Sequence, residues 1–112
     1  MTIFPVLLLG ALGVGLRFGA DLLIRVTEFP LATIVVNLIG CFIAGYLFTS
    51  SHPLRIPLMV GLCGGLTTFS ALIIQCLQML REGMVLKAGI YLLGSVVLGL
   101  LAAWTGMKIS GS

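Results

Sequence analysis

The sequence has very few charged residues. Asp, Glu, Lys and Arg together make up 8% of its 112 residues, whereas an average soluble chain is about 25% charged. Hydrophobic residues make up 60%, and the mean hydropathy is +1.27. A domain of this length does not bury so much apolar surface in one core, so the composition excludes a water-soluble globular protein. We expect the chain to lie in lipid.

Clustered charge and clustered metal ligands are also missing. Six Lys and Arg against three Asp and Glu give a net charge of +3, but the basic residues are scattered singly, which argues against nucleic acid as a partner. The three cysteines, Cys41, Cys63 and Cys76, lie in apolar runs without a second Cys or a His at ligand spacing. This pattern indicates neither a zinc site nor a disulfide framework, and we interpret the cysteines as small buried packing residues.

Four apolar segments divide the chain, at residues 3–24, 31–49, 55–80 and 84–107. Each is close to the roughly 20 residues that a helix needs to cross about 30 Å of hydrocarbon. The first sixteen residues contain no Lys or Arg, so the first segment lacks the basic region of a signal peptide. We expect it to be a transmembrane span that is not cleaved off. The sequence therefore predicts an all-α membrane protein, with residues 1–112 forming one domain of four transmembrane helices.

The positive charges give only a weak bias for one orientation in the membrane. Four crossings place both termini and the middle loop on one side, and the basic residues divide almost evenly between the two sides. They are Arg55 and Lys108 on the first side, and Arg25, Arg81 and Lys87 on the second, with Arg17 near it. A chain with so little bias can insert both ways and pair antiparallel with itself, or be one member of a pair whose orientations are set by other means.

The third segment contains helix-weakening residues at its centre. Residues 61–70 read GLCGGLTTFS, and each glycine costs about 1 kcal/mol relative to Ala in a helix. We therefore expect this helix to break at mid-membrane, where unpaired backbone groups must line a wet cavity, meet other protein or coordinate an ion. The alternative is close helix packing, because Gly61 and Gly65 also form a GxxxG step.

Polar and small residues recur every four positions on the second and fourth segments and so share one face of each helix. They are Thr33, Asn37, Cys41 and Gly45, and Tyr91, Ser95, Gly99 and Ala103. The Asn37 amide needs partners in lipid, and it either bridges helices or faces a polar path. The Ser95 hydroxyl either joins such a path or bonds back to its own helix. Together with a broken helix, two such faces favour a lined conduit.

No carboxylate lies at the centre of a segment, since Asp21, Glu28 and Glu82 fall near segment ends or in turns. This argues against a proton-coupled small multidrug-type exporter, which needs a buried Glu to exchange protons. The polar groups that are present are hydrogen-bond donors, and donors favour an anion as the transported species. They are Asn37, Thr67, Thr68, Ser70, Tyr91 and Ser95.

Two further side chains have both a structural and a functional interpretation. Phe69 is most simply a packing residue, but the positive edge of a phenyl ring also solvates an anion weakly. Arg17, near a helix end, either snorkels to the interface or flanks an aqueous vestibule and raises the local anion concentration.

Several stretches resemble the CrcB/Fluc family of fluoride channels. GGLTTFS at residues 64–70, preceded by Gly-Leu-Cys, resembles the family signature GFCGGxTTFSTF. ATIVVN at residues 32–37 resembles the family's GTLxVN, and residues 10–18 resemble GGxxGAxxRY with Arg17 at the Arg position. The Gly-Ser pair after Tyr91 fits the fourth helix, so the resemblance covers nearly the whole chain.

The resemblance implies a passive channel, not an enzyme, that exports cytoplasmic fluoride across the plasma or inner membrane and protects against fluoride toxicity. It implies an antiparallel, dual-topology dimer with two pores, in which the third helix is broken at mid-membrane. The fluoride pore would be formed by Asn37, Thr68, Phe69, Ser70, Tyr91 and Ser95. Arg17 would lie at the vestibule, and a structural Na⁺ at the dimer centre would be held by the backbone carbonyls of Gly64 and Thr67.

The sequence departs from the family signature where TTFSTF becomes TTFSAL, so that Leu72 replaces the second Phe and Ala71 replaces the second hydroxyl. A homodimer of this chain would then lack one phenyl wall in both pores. Either the channel tolerates Leu72, which we expect, or the chain pairs with a different homologue that supplies the missing Phe. Beside a fluoride channel, two functions stay open: the proton-coupled exporter, and a non-transporting assembly protein whose small-residue faces bind other helices.

Overall fold

The computed structural model describes residues 3–23 and 30–110, which form a bundle of apolar helices. Helix α1 spans Ile3–Leu23, and helix α2 spans Leu31–Leu47. The predicted end of the first segment, residue 24, lies outside the described residues, and so do Arg25 and Glu28 of the turn that follows it.

The third and fourth predicted segments contain three further helices. Helix α3 consists of a π-helical stretch, Pro57–Cys63, that continues directly as the α-helical turn Gly64–Leu66. Helix α4 spans Phe69–Arg81, and helix α5 spans Val85–Ile109. The prediction of an all-helical protein is confirmed for the described residues.

Among the described residues, three stretches are long and apolar enough to cross a membrane. They are α1, the stretch Pro57–Arg81 that contains α3 and α4, and α5. Helix α2 is also apolar, but its 17 residues are about 26 Å long at 1.5 Å per residue, slightly less than the hydrocarbon thickness. The described chain is therefore that of a multi-pass membrane protein.

The backbone between α3 and α4 is extended. Thr67 has φ −82° and ψ 155°, and Thr68 has φ −149° and ψ 115°, both in the β region. Thr68 caps the next helix, because its hydroxyl oxygen accepts a hydrogen bond from the Ala71 amide at 3.2 Å. The interruption thus falls on two β-branched residues, while Gly61 and Gly65 before it are helical.

The glycines of α3 allow α1 to pack closely against it. A Cβ atom at Gly61 would lie 2.7 Å from Val6 O, and one at Gly65 would lie 2.5 Å from Gly10 O. Any side chain at either position would therefore push the two helices apart. Gly61 and Gly65 therefore serve close helix packing. The extended residues, Thr67 and Thr68, come later in the chain and are separated from Gly65 by Leu66.

The small-residue faces of α2 and α5 pack against each other. A Cβ atom at Gly45 would lie 2.0 Å from Ala103 O, and one at Gly106 would lie 2.2 Å from Phe42 O. The two backbones approach so closely at these points that only glycine fits. This contact fixes the register in which the polar residues of α2 meet those of α5.

The buried core lies mainly between α4 and α5. It is formed by Leu72, Cys76, Met79, Ala88 and Tyr91. Cys63 and Cys76 are buried, Cys41 is half-buried, and all three are free thiols. The cysteines therefore act as small packing residues in this structure.

We predict that Gly106→Ala destabilises the bundle, whereas Gly89→Ala on the same helix does not. The added methyl group at residue 106 would meet Phe42 O of α2 at 2.2 Å, and overpacking of this kind costs about 1–3 kcal/mol. At residue 89 no heavy atom of the described chain lies within 4 Å of the added Cβ, and Ala favours a helix over Gly by about 1 kcal/mol. Thermal unfolding in detergent micelles measures the difference, and equal melting temperatures for the two variants would contradict the close α2–α5 approach.

Candidate functional site

Asn37 on α2 joins that helix to the extended residues between α3 and α4. Its Nδ2 donates to Thr68 O at 3.3 Å, and its Oδ1 accepts from the Thr68 amide at 2.7 Å. One carboxamide thus satisfies both backbone groups of a residue that lies outside the helices. Asn37 therefore bridges helices. Because a primary amide has two N–H donors, the bond to Thr68 O leaves a second N–H for the cavity described below.

Two backbone carbonyls lose their helical donors at the interruption. In an unbroken helix the Thr68 amide would donate to Gly64 O, but it donates to Asn37 instead. The Ala71 amide would likewise donate to Thr67 O, but it donates to the Thr68 hydroxyl. Gly64 and Thr67 are the residues to whose carbonyls the family resemblance assigns a cation.

Arg17 on α1 reaches the same region. Its side chain is half-buried, and Nε donates to Gly65 O at 3.2 Å. A guanidinium at the last turn of α3 complements the partial negative charge at the C-terminal end of that helix. The positive charge of Arg17 is therefore held at the C-terminal turn of α3.

A cavity of about 190 Å³ lies between α2 and α5. Its polar lining residues are Asn37, Tyr91 and Ser95, and the others are Ile34, Leu38, Ile90, Gly94 and Leu98. A mostly apolar cavity with a few placed polar groups is typical of a site for a small ligand. The structure thus brings three of the predicted site residues together around one space.

The remaining predicted pore residues lie at the start of α4. Phe69 is 70% exposed, Ser70 is also exposed, and Thr68 Oγ1 lies 3.4 Å from Ser70 Oγ. In the single chain Phe69 and Ser70 are on the surface and Thr68 is half-buried, and the cavity lining includes none of the three. The candidate site therefore has two groups of residues, and the Asn37–Thr68 hydrogen bonds connect them.

Leu72, the position that departs from the family signature, packs inside the chain. Its side chain is 4% exposed and contributes to the α4–α5 core. Phe69, three residues earlier on the same helix, is 70% exposed. The two positions therefore differ in environment, one inside the bundle and one on its surface.

Gln75 is a polar residue of this region that the sequence patterns did not identify. Its Nε2 donates to Thr33 Oγ1 at 2.8 Å, and its Oε1 accepts from the Tyr91 hydroxyl at 2.5 Å. It thus connects α4 to both α2 and α5. The available signal was the same as for Asn37, a carboxamide inside an apolar run that requires hydrogen-bond partners.

The two acidic residues that the structure describes are exposed and lie at or near helix ends. Asp21 is exposed near the end of α1, and Glu82 is exposed just after α4. Within residues 3–23 and 30–110, no group of three or more His, Cys, Asp or Glu side chains is placed to hold a metal ion.

We predict that Asn37→Ala destabilises the protein by about 2–4 kcal/mol, because it leaves the Thr68 N–H and C=O without their partner and each unsatisfied buried group costs about 1–3 kcal/mol. Thr105→Ala is the matched control, since the exposed Thr105 hydroxyl bonds back to Leu101 O of its own helix and its loss costs less than about 0.5 kcal/mol. Chemical unfolding of both variants in micelles gives the comparison. An Asn37 variant as stable as the control would show that the carboxamide does not hold the interruption.

Comparisons with known proteins agree on one family. The chain matches the model described as CrcB-like protein, Camphor Resistance (CrcB), over residues 4–107. It is 42% identical over 119 residues to the fluoride-specific ion channel FluC of Flavobacterium psychrophilum, which covers 97% of this chain and 96% of the relative. Identity to the proteins of the same name is 46% over 109 residues in Xanthomonas euvesicatoria, covering 88% of this chain and 82% of that one. It is 43% over 118 residues in Xylella fastidiosa, covering 96% and 82%. On this evidence the chain belongs to the CrcB family.

Proposed function

We propose that this protein is a passive, fluoride-selective channel that exports fluoride from the cytoplasm. The observation that carries the proposal is the identity of 42–46% to relatives named fluoride-specific ion channels, over 88–97% of the chain. The cavity between α2 and α5, with its three polar side chains, and the interrupted α3–α4 stretch beside it support the same function. The chain would act as a channel and not as an enzyme.

The donors around the interruption suit a small anion. Asn37 offers its second N–H, Ser95 lines the same cavity, and the hydroxyls of Thr68 and Ser70 lie at the start of α4. That helix start also carries the positive end of the helix dipole. Donors of this kind replace the water that fluoride loses when it leaves solution, and the edge of the Phe69 ring adds a weaker attraction.

Arg17 supports anion entry through its charge. Its guanidinium is held near the interruption by the bond to Gly65 O, and a fixed positive charge at the mouth of a polar path raises the local anion concentration. This corresponds to the vestibule role that the family resemblance implies.

Export of fluoride requires no fuel. Hydrogen fluoride crosses membranes as a neutral acid and dissociates in a less acidic cytoplasm. An inside-negative potential then favours exit of the anion by about 2.3 kcal/mol per elementary charge per 100 mV. A conducting path with the right donors is therefore sufficient for protection against fluoride.

We infer that the working unit is an antiparallel dimer of two copies. Phe69 is 70% exposed beside exposed Ser70 at the start of α4, and a second copy packed there would enclose both side chains and complete the wall of each pore. Leu72 supports the homodimer over a heterodimer, because its side chain belongs to the core of its own chain. In this arrangement the interruption lies near mid-membrane, where the two copies meet.

The released carbonyls of Gly64 and Thr67 fit a hard cation such as Na⁺ at that meeting point. Hard cations take oxygen ligands, and these two oxygens have lost their helical donors to Asn37 and to the Thr68 hydroxyl. A bound cation would neutralise unpaired carbonyl dipoles in the membrane and fix the two copies against each other. Its role would be structural.

The direct test is fluoride efflux from liposomes that contain the purified chain alone, followed with a fluoride electrode. We expect efflux that continues when a protonophore abolishes the proton gradient. Asn37→Ser should slow it by about tenfold or more, because a hydrogen bond to a charged group contributes about 1.5–3 kcal/mol. Phe69→Ile should also slow it, because it removes the weaker attraction of the ring edge. Phe4→Ile is the matched control, since Phe4 is 68% exposed on α1, away from the site, and its efflux should equal that of the wild type.

Each of the other outcomes would contradict a different part of the proposed function. Efflux that stops without a proton gradient would favour the proton-coupled exporter. Absence of any ion flux would favour an assembly protein. Fluoride efflux that neither Asn37→Ser nor Phe69→Ile alters would support the channel function but show that the fluoride site is not formed by these residues.

A further inference from the structure

Gly94 on α5 is a glycine that packing within the described chain does not explain. A Cβ atom at Gly106 of the same helix would lie 2.2 Å from Phe42 O, and one at Gly99 would lie 3.4 Å from Cys41 Sγ. At Gly94 no heavy atom of the described chain lies within 4 Å of the added Cβ. Because glycine weakens a helix relative to alanine, a glycine without a close neighbour at this position requires another explanation.

Gly94 belongs to the wall of the cavity between α2 and α5. Ile90 and Leu98, four residues before it and four residues after it, line the same cavity. Residues four apart on a helix lie in one row, so a side chain at residue 94 would continue that row and fill part of the cavity. The missing side chain therefore leaves a gap in the α5 wall between Ile90 and Leu98.

The cavity has the volume and the polar groups that buried water requires. A water molecule takes up about 30 Å³ in the liquid and needs about two to four polar partners when it is buried. The cavity has a volume of about 190 Å³, and the polar side chains of Asn37, Tyr91 and Ser95 line it. It is therefore large and polar enough for several water molecules.

An anion in this cavity would meet few donors from the protein. Asn37 offers its second N–H and Ser95 its hydroxyl, while most of the lining is apolar. An ion that leaves water is strongly destabilised unless other hydrogen bonds replace its hydration. Because the lining supplies only part of these bonds, water inside the cavity has to supply the rest.

We propose that Gly94 determines how much water accompanies the permeating anion, because its missing side chain keeps open the space in which that water lies. This inference rests on the proposed fluoride channel and deepens it, since fluoride would cross this part of the path as a partly hydrated ion. Asn37 and Ser95 would then replace one part of the hydration shell, and the water beside Gly94 would remain as the other part. An apolar side chain at residue 94 would displace this water and offer no donor in its place.

Three substitutions at residue 94 test this role in the liposome efflux assay. Gly94→Ala should slow fluoride efflux by about tenfold, the effect of losing one hydrogen bond to a charged group. Gly94→Ser adds a slightly larger side chain, but its hydroxyl donates to the anion in place of the displaced water, so efflux should stay within about threefold of the wild type. Gly94→Val is larger than both and has no donor, and it should slow efflux at least as much as Gly94→Ala.

The order of the serine and alanine variants is the decisive result. If only the width of the cavity mattered, Gly94→Ser would slow efflux at least as much as Gly94→Ala, because serine is the larger residue. That order would overturn the proposal, and so would a Gly94→Ala variant that conducts fluoride as fast as the wild type.

Gly89 provides the matched control on the same helix. A Cβ atom at Gly89 also has no heavy atom of the described chain within 4 Å, but Gly89 lines a groove along the outer side of α5 and is not part of the cavity lining. Efflux through Gly89→Ala and Gly89→Val should therefore match that of the wild type. Slowing by these variants equal to that of the Gly94 variants would contradict a role for the cavity.

The number of copies in each assembly separates this role from packing against a second copy. Single-molecule photobleaching of labelled protein in bilayers counts the copies, and we expect the same count for the wild type and for every Gly94 variant. A Gly94→Ala variant that loses its second copy would show that residue 94 is a packing contact, and would overturn the proposal. A wild-type protein that passes no fluoride would overturn the channel and this role together, whereas equal efflux through an active wild type and all Gly94 variants would overturn this role alone.

Discussion

The two-point hydrogen bonding between Asn37 and the backbone of Thr68 is the interaction on which the rest of the structure depends. Lipid offers no hydrogen bonds, so a chain that leaves the helical conformation inside a membrane must find other partners for its N–H and C=O groups. The Asn37 carboxamide supplies both partners for Thr68, and the Thr68 hydroxyl supplies one for Ala71. These hydrogen bonds stabilise the interruption. As a result, the carbonyls of Gly64 and Thr67 no longer accept the helical hydrogen bonds from Thr68 and Ala71.

Close helix packing and polar side chains act together in this bundle. The glycines at 45 and 106 bring α2 and α5 into near backbone contact, and this contact places the polar residues of both helices around one cavity. The same approach allows the Gln75 side chain of α4 to reach both Thr33 and Tyr91. Small residues therefore set the geometry, and the few polar groups provide the chemistry.

The sequence predicts the helical membrane fold and part of the site, because both follow from local patterns. Long apolar runs specify the spans, and an amide such as Asn37 in one of them must have partners. The end of α3 was harder to place, since Gly61 and Gly65 serve the α1 contact and remain helical while the extended residues come after them. The burial of Leu72 and the hydrogen bonds of Gln75 to Thr33 and Tyr91 depend on how three helices are rotated and staggered, which no single segment encodes.

The central claim is that Thr67 and Thr68 are extended within an otherwise helical span. Solid-state NMR of the chain in lipid bilayers, with isotope-labelled threonine, measures this directly, because residues 67 and 68 are the only adjacent threonines in the sequence and their signals can be selected as a pair. The account predicts Cα and Cβ chemical shifts of extended backbone for both residues in the wild type. Helical shifts at both residues would show a continuous rod and contradict it.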